Sequence, residues 1–146
     1  MDMANPRSDT SHLSDANSTA MSHFNTKKLP TLPDVTAPDG SAVRILLRLN
    51  GGSMAHFELA AGKTSLAVVH QTVEEIWYVV SGHGEMWRAA REREEVVPLE
   101  AGVCLTIPVG TRFQFRASAT KSLCAVAITM PPWPGPEEAQ YVPGQW

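Results

Sequence analysis

Short apolar runs, separated by glycine, proline or charged residues, fill the middle of the chain from residue 41 to residue 130. Alternating apolar and polar positions over about four to eight residues are typical of β-strands, and a series of such runs with turn signals is typical of a sandwich or barrel. The pattern predicts strands at residues 43–49, 54–59, 65–70, 75–80, 84–89, 94–99, 103–107, 112–116 and 123–129. No window of helical length keeps the helical apolar period with capping residues. The chain is therefore predicted to be all-β.

The charged stretch 87–95 is the nearest rival to this prediction, because its side chains can form ion pairs along a helix. Its charged residues are Arg88, Arg91, Glu92, Arg93, Glu94 and Glu95. Only nine residues separate Glu85 from Glu95. That short spacing favours a charged hairpin turn between two strands.

The two ends of the chain differ in composition from its middle. Residues 1–24 are rich in Ser, Asp, Asn and Thr and lack an apolar run, so we expect a disordered tail, and neither a signal peptide nor a membrane anchor. Residues 131–146 begin with a proline-rich segment that cannot donate to a strand ladder. We therefore expect Trp133, Tyr141 and Trp146 to pack on the barrel or on a second subunit. Packing on the barrel of the same chain is the favoured alternative. The predicted domain lies between these tails, at residues 25–130.

Composition and charge limit the possible partners. The chain has 146 residues, 43% of them hydrophobic, which is enough to build one core. A net charge of −3 and the lack of a clustered Lys/Arg stripe argue against a nucleic acid or a membrane as partner. Cys104 and Cys124 both lie in apolar, strand-like runs, so we expect reduced structural cysteines in a cytoplasmic protein. A disulfide across a sheet stays open as the alternative.

The stretch 70–82 combines an imidazole and two carboxylates with an apolar strand that ends at a glycine. With the glycine before it, its spacing resembles the first motif of the cupin superfamily: glycine, five residues, His-x-His, three or four residues, glutamate, six residues, glycine. The matching residues are Gly62, Val68, His70, Glu75 and Gly82. Valine at position 68 replaces the first histidine of the motif.

A second stretch, 102–117, resembles the second cupin motif: glycine, five residues, Pro-x-Gly, two residues, histidine, then asparagine after three more. Gly102, Pro108 and Gly110 match it, while Phe113 and Ala117 stand at the histidine and asparagine places. The resemblance implies a single double-stranded β-helix, that is, a jelly-roll barrel. It also implies a homodimer joined through sheet edges, as is common among cupins.

The resemblance also implies a metal in the barrel mouth, but the ligand set is incomplete. His70 and Glu75 supply one nitrogen and one oxygen, whereas a transition-metal site normally needs at least three protein ligands. His56 or His83 is the possible third ligand, although neither stands at a family ligand place. A divalent Fe, Ni, Mn or Zn ion is the possible cofactor. The alternatives are a solvent-facing His56 and a His83 that only forms part of a turn.

His70 and Glu75 are the candidate catalytic residues. His70 ends an apolar run and can bind a metal or exchange a proton, or it can simply donate to a backbone carbonyl. If Glu75 faces inward beside Trp77, burial should raise its pKa and suit it to acid or base catalysis. Otherwise Glu74 and Glu75 lie on the rim and form solvated pairs with arginines, namely Arg44, Arg48 or Arg112.

Apolar and aromatic residues are predicted to line a small-molecule pocket. The predicted lining has apolar residues in place of polar metal ligands, namely Val68, Trp77, Phe113 and Phe115. Arg112 can pair with a substrate carboxylate. We therefore predict a cupin enzyme that acts on a small organic molecule by His/Glu acid–base chemistry, as an isomerase, cyclase or lyase, with metal absent or weakly bound. One alternative is a metal-dependent dioxygenase with an off-motif third ligand. Another is a non-catalytic binding module.

Overall fold

The computed structural model describes residues 24–146. The predicted disordered tail therefore lies outside the described residues, except for Phe24. The strands are β1 (Val35–Thr36), β2 (Ala42–Arg48), β3 (Ser53–Leu59), β4 (Val68–His70), β5 (Glu74–Ser81), β6 (His83–Ala90), β7 (Arg93–Glu100), β8 (Cys104–Ile107), β9 (Arg112–Ala117), β10 (Leu123–Met130) and β11 (Ala139–Tyr141). A single 3-10 turn at Pro136–Glu138 precedes β11. The all-β prediction is confirmed.

The strands form two antiparallel sheets that face each other. The first sheet has the order β1-β2-β3-β10-β5-β8, and the second has the order β11-β4-β9-β6-β7. Side chains from both inner faces make one apolar core, which contains Leu59, Trp77, Val79, Met86, Leu99, Phe113 and Phe115. Alternation along each strand decides which side chains enter this core.

Strand β5 shows how this alternation orients the candidate site. Glu75, Trp77 and Val79 are buried, whereas Ile76 and Tyr78 are about half exposed. The strand ends where Gly82 takes a φ of 85°. A Cβ at this position would lie 2.0 Å from the carbonyl oxygen of Ser122, so a close backbone approach requires glycine here.

The predicted strand at 65–70 is shorter in the structure, because β4 begins only at Val68. Upstream of it, the Ser65 backbone N–H donates to the Phe115 carbonyl, and the Ser65 hydroxyl accepts from the Phe115 N–H at 3.0 Å. A side-chain oxygen thus takes the place of a ladder carbonyl. The other eight predicted strands have ends within one residue of the observed ones, and β1 and β11 were not predicted.

The charged stretch 87–95 is a hairpin, as predicted. β6 and β7 pair along their whole length to Ala90 and Arg93, and Arg91 takes a positive φ of 53° in the turn. The Arg88 guanidinium donates to Glu95 across the two strands at 2.7 Å. The charges therefore pair between strands and not along a helix.

The C-terminal tail packs on the second sheet of its own chain. β11 pairs with β4, so the sheet extends beyond the predicted domain end at residue 130. This pairing is possible because residues 139–142 have the N–H donors that the preceding prolines lack. The Gln114 side-chain oxygen accepts from the N–H groups of Gln145 and Trp146. The Arg116 guanidinium lies 4.1 Å from the centre of the Trp146 ring.

The two cysteines lie on the outer face of the first sheet. Cys104 pairs with Tyr78 and Cys124 with Ser81, so strand β5 separates them. Both thiols are free. Within the described residues, no helix is long and apolar enough to cross a membrane.

Candidate functional site

The turn between β4 and β5 brings His70 and Glu75 together inside the protein. His70 shares the inner face of β4 with Val68, and Glu75 shares the inner face of β5 with Trp77. The His70 Nδ1 atom lies 3.4 Å from the Glu75 Oε1 atom. Their side chains are only 6% and 3% exposed, so the pair is shielded from bulk water.

Two aromatic rings enclose the imidazole of His70. Phe113 and Trp133 both meet it edge to face, with ring centres 5.2 Å away in each case. Trp133 comes from the proline-rich tail, and its backbone N–H donates to the Ser53 hydroxyl. The His70 Nδ1 atom is buried and has no hydrogen-bond partner among the residues that the structure describes. Buried polar atoms without a partner are uncommon, and among residues 24–146 only His56 Nδ1 and Arg88 Nε share this state.

Burial shifts the pKa values of the two groups in opposite directions. Loss of hydration lowers the pKa of His70 to about 4, although the nearby Glu138 carboxylate opposes the shift. Loss of hydration also raises the pKa of Glu75 to about 7; the Trp77 indole N–H donates to this carboxylate and opposes the rise, while Asp39 adds to it. Between these values the pair is a neutral imidazole beside a carboxylic acid, and its short distance does not make it an ion pair.

Asp39 is a buried carboxyl group that the sequence analysis missed. Its side-chain oxygen accepts from the Ser41 N–H at 2.9 Å and from the Ser41 hydroxyl at 2.6 Å. Burial raises its pKa although both hydrogen bonds oppose the rise. Asp39-Gly40-Ser41 looks like an ordinary turn in the sequence, so nothing local marks this carboxyl group as buried.

Glu138 is a second missed carboxyl group, and it anchors the tail beside the site. Its carboxylate accepts from the Thr72 backbone N–H, from the Thr72 hydroxyl at 2.8 Å and from the Val73 N–H at 2.7 Å. Burial opposes its ionisation, but these hydrogen bonds outweigh that effect and hold the pKa of Glu138 below its usual value. Glu138 thus binds Thr72 and Val73, which lie 66 and 65 positions earlier in the chain.

The four apolar residues of the predicted lining lie on the inner faces, where they form a packed cluster. Val68, Trp77, Phe113 and Phe115 are each no more than 2% exposed. Phe57, which the sequence analysis missed, stacks on Trp77 with ring centres 5.5 Å apart and planes at 17°. The inward position of Phe57 could have been predicted from the alternation of side chains along β3. The interior beside His70 and Glu75 is therefore lined by aromatic rings.

Arg112 does not take the predicted place beside these rings. It points to the outer face of the second sheet, where its guanidinium lies 5.8 Å from the Trp87 ring centre. The cause is the alternation of side chains along β9, because Phe113 and Phe115 face inward and Arg112 must then face outward. A substrate carboxylate in the interior would not reach it.

The residues present do not fit a metal site. His56 lies on the outer face of the first sheet, opposite Arg44 and Val126, and burial together with the Arg44 charge lowers its pKa. His83 starts β6 at an exposed position opposite Glu100. Neither joins His70 and Glu75, and residues 24–146 contain no group of three His, Cys, Asp or Glu side chains arranged to hold a metal.

A separate cavity of about 450 Å³ opens between β7 and β8. The Arg88 guanidinium spans the opening, donating to the Thr106 carbonyl and to the Glu95 carboxylate, each at 2.7 Å. Neither His70 nor Glu75 lines this cavity; its polar lining includes Arg88, Arg93, Glu95, Thr106 and Thr111. Ile107, which lies opposite Glu75 in the neighbouring strand, is buried and does not line this cavity.

Comparison with known proteins identifies the family. Residues 55–129, more than half of the chain, match the Cupin domain, and the chain belongs to the cupin family. A comparison with curated proteins found no match.

Solved structures confirm the double-stranded β-helix fold. A Klebsiella pneumoniae protein with a double-stranded β-helix domain has a TM-score of 0.58 at 18% identity, over 71% of this chain and 85% of that one. PAC13 from Streptomyces, solved with uridine, has a TM-score of 0.62 at 18% identity, over 82% and 92%. KdgF from Halomonas has a TM-score of 0.55 at 21% identity, over 63% and 79%. Identities this low show the fold alone.

Proposed function

We propose that this cupin is an enzyme in which His70 and Glu75 exchange protons with a small organic substrate, as an isomerase, cyclase or lyase. The observation that carries the proposal is the buried contact of 3.4 Å between the two groups, whose pKa values are shifted in opposite directions. Environments that push two titratable groups apart are typical of an acid and base pair. The His70 Nδ1 atom also has no hydrogen-bond partner among residues 24–146, so it is free to accept a proton.

The protonation states assign the roles. Between pH 4 and pH 7 the neutral His70 accepts a substrate proton at Nδ1, and the protonated Glu75 donates one to another substrate atom. The imidazolium and the carboxylate that result face each other across 3.4 Å. A proton that then passes from Nδ1 to Oε1 restores the starting state, so one turnover is balanced without any other proton source.

The surroundings of the pair support one substrate class. Trp77, Phe113 and Trp133 offer aromatic faces and no positive charge, which favours an uncharged molecule with a planar ring. The uridine held by the Streptomyces neighbour is a molecule of this kind. A reducing compartment such as the cytoplasm suits the two free cysteines and is part of the proposal.

Trp133 must move to admit such a substrate, because its ring covers His70. In a Trp133→Ala variant, water reaches the imidazole and the pKa of His70 rises from about 4 toward its ordinary 6.5. The matched control is Trp146→Ala, which removes the other tail tryptophan from its place against Arg116 on the outer face. NMR titration of the His70 ring, assigned with a His70→Asn variant, measures the shift. An unchanged pKa in Trp133→Ala would show that this ring does not seal the site.

Solvent deuterium exchange tests the chemistry without knowledge of the product. A panel of uncharged ring compounds with acidic C–H groups is incubated in D2O, and NMR follows exchange of each C–H. We expect exchange with the parent chain and a loss of about 100-fold or more in His70→Asn and in Glu75→Gln. Glu74→Gln is the matched control, because Glu74 is the neighbouring glutamate on the exposed face of β5.

The outcomes separate the proposal from a binding module. Exchange that persists in both His70→Asn and Glu75→Gln sinks the acid–base proposal. A compound whose resonances shift on binding but whose C–H groups do not exchange indicates that the interior only holds its ligand.

The pH profile of exchange sharpens the assignment. Because His70 must be neutral and Glu75 protonated, the rate should reach a plateau between about pH 4 and pH 7 and decline on either side. A rate that keeps rising above pH 7 would reverse the role of Glu75 from acid to base.

A further inference from the structure

The cavity between β7 and β8 contains an arginine that faces the space between the two sheets. Met86 and Arg88 lie two positions apart on β6, and Met86 is a fully buried core residue, so alternation turns Arg88 to the same inner face. The Arg88 side chain is only 17% exposed. A guanidinium stays charged in proteins, and removing it from water is costly unless other groups replace its hydration. Arg88 therefore requires a full set of hydrogen-bond acceptors.

The residues that the structure describes supply only part of that set. Arg88 donates from Nη1 to the Thr106 carbonyl and from Nη2 to one carboxylate oxygen of Glu95, each at 2.7 Å. Its Nε atom is buried and has no hydrogen-bond partner among residues 24–146. The guanidinium thus keeps N–H groups that an additional acceptor can use.

The charges of the cavity lining do not balance. The other carboxylate oxygen of Glu95 accepts from Arg93 Nη2 at 3.2 Å, so two guanidinium groups share a single carboxylate. Arg88, Arg93 and Glu95 give the lining one net positive charge. The adjoining turn adds Arg91 and Glu92, whose charges cancel. Because Arg88 is largely shielded from water, an anion that enters the cavity is attracted more strongly than one at an open surface.

The free edge of β8 contributes a backbone donor. β8 is the last strand of the first sheet and pairs with β5 alone among the described strands. The Thr106 carbonyl points to the free edge, because it accepts from Arg88 there. In an antiparallel strand the N–H and C=O of one residue point to the same side, so the Thr106 N–H also points toward the cavity. Backbone N–H groups commonly take part in binding anions.

We propose that this cavity binds the oxyanion group of a small organic molecule, a carboxylate or a phosphate, through Arg88, Arg93 and the Thr106 N–H. The planar fork of a guanidinium matches two oxygens of either group. The volume of about 450 Å³ suits a small-molecule ligand. The rest of the ligand would contact the apolar part of the lining, which includes Leu105 and Pro108.

This site is separate from the acid–base pair. Neither His70 nor Glu75 lines the cavity. Arg112, the arginine that the sequence suggested for a ligand carboxylate, lies over the Trp87 ring on the outer face of the second sheet. Anion binding in the cavity does not depend on proton exchange at His70 and Glu75, so failure of either proposal leaves the other standing.

Three ligands with the same ring test the proposal on the full chain: benzoate, phenyl phosphate and the uncharged benzamide. Nitrogen-15 NMR follows the Nε–H resonance of Arg88, which an Arg88→Lys variant assigns. We expect benzoate or phenyl phosphate to shift this resonance in a saturable way, and benzamide to leave it unchanged. Whichever anion binds more tightly identifies the head group, because the ring is common to all three.

Calorimetry with the tighter anion then measures the part of each charged residue. Arg88→Gln should weaken binding by about 10-fold or more, and Arg93→Gln, which alters an exposed side chain, by about 3-fold. Glu95→Gln should strengthen binding by about 3-fold, because it removes the carboxylate that competes with the ligand for both guanidinium groups. Arg112→Gln is the matched control and should bind as the parent does.

Circular dichroism checks that each variant is folded, and Arg93→Gln keeps the test decisive if Arg88→Gln does not fold. Three results overturn the proposal: no shift of the Arg88 resonance with either anion, binding of benzamide as tight as that of the anions, or an equal loss of affinity in Arg112→Gln and in the cavity variants.

Discussion

Two buried carboxylates near His70, those of Glu75 and Glu138, behave in opposite ways. Glu75 lies between the sheets and accepts one hydrogen bond, from the indole of Trp77, and its pKa rises to about 7. Glu138 lies where the tail meets the β4–β5 turn and accepts three hydrogen bonds, and its pKa falls below the usual value. Both residues are less than 8% exposed, but Glu75 is enclosed by protein on all sides whereas Glu138 lies nearer the surface, so depth of burial and hydrogen-bond donors both separate the two pKa values.

The comparison shows what separates a structural carboxylate from a proton-exchanging one. Loss of hydration disfavours the charged form in both places, but several N–H and O–H donors can replace the lost water. Glu138 has such donors and stays ionised as the anchor of the tail. Glu75 lacks them, keeps its proton to near neutral pH, and faces a histidine that can accept it. Depth of burial and the number of donors together thus set the role of each group.

The largest expected effect is on the pH dependence of the free energy of unfolding. Glu75 and His70 contribute to it in opposite directions, so the two contributions can be separated. The raised pKa of Glu75 contributes stability below pH 4.5 that is lost as the pH rises through about 7. The lowered pKa of His70 contributes stability above pH 6.5 that is lost as the pH falls through about 4. In the parent chain these contributions largely cancel between pH 4.5 and pH 6.5.

Substitution of one residue of the pair should make the contribution of the other residue measurable. Glu75→Gln leaves the His70 contribution, so the free energy of unfolding should rise from pH 4 to pH 6.5, by on the order of 3 kcal/mol. His70→Asn leaves the Glu75 contribution, so it should fall from pH 4.5 to pH 7 by a similar amount. Urea denaturation at a series of pH values measures both slopes, and Glu74→Gln should follow the parent. Parallel slopes in the two variants would contradict the opposite shifts.

The next effect concerns the anchor. Glu138→Ala removes the acceptor of three hydrogen bonds and leaves the N–H groups of Thr72 and Val73 without their partner. We expect a loss of about 2 kcal/mol in the free energy of unfolding at pH 7, and faster proteolysis within residues 131–146. Glu137→Ala is the control, because the side chain of this exposed neighbour accepts none of these bonds. Equal losses in both variants would mean that the carboxylate does not hold the tail.

The smallest effect removes one donor and leaves the others. Thr72→Val deletes the hydroxyl that donates to Glu138 and keeps the backbone N–H. The free energy of unfolding should fall by about 1 kcal/mol, and the pKa of Glu138 should rise toward its ordinary value. Carboxyl NMR titration measures the second change, and Thr120→Val in an exposed loop is the control. An unmoved pKa would show that the two backbone donors suffice.

Alternation along the strands predicted most of the fold and half of the site. The inward placement of Glu75 with Trp77, and of Phe113 with Phe115, follows from a period of two, and the structure has both. The same rule turns Arg112 outward, away from the pocket to which it was assigned. His56 is likewise turned outward by the inward Phe57 on β3. Arg112 and His56 show that the chemical type of a residue does not predict where its side chain lies unless the strand register is also considered.

The sequence by itself determined the all-β class and the positions of nine of the eleven strands, and it left two placements open for Glu75, inward near His70 or on the rim, because these features depend on residues close together in the chain. Only the tertiary structure decided that Trp133 covers His70, that Glu138 binds the Thr72–Val73 turn, and that Asp39 lies near enough to raise the pKa of Glu75. These contacts join segments more than 30 residues apart, and no local period encodes them. The pKa shifts were decided there too, because loss of hydration depends on every element that packs around a group.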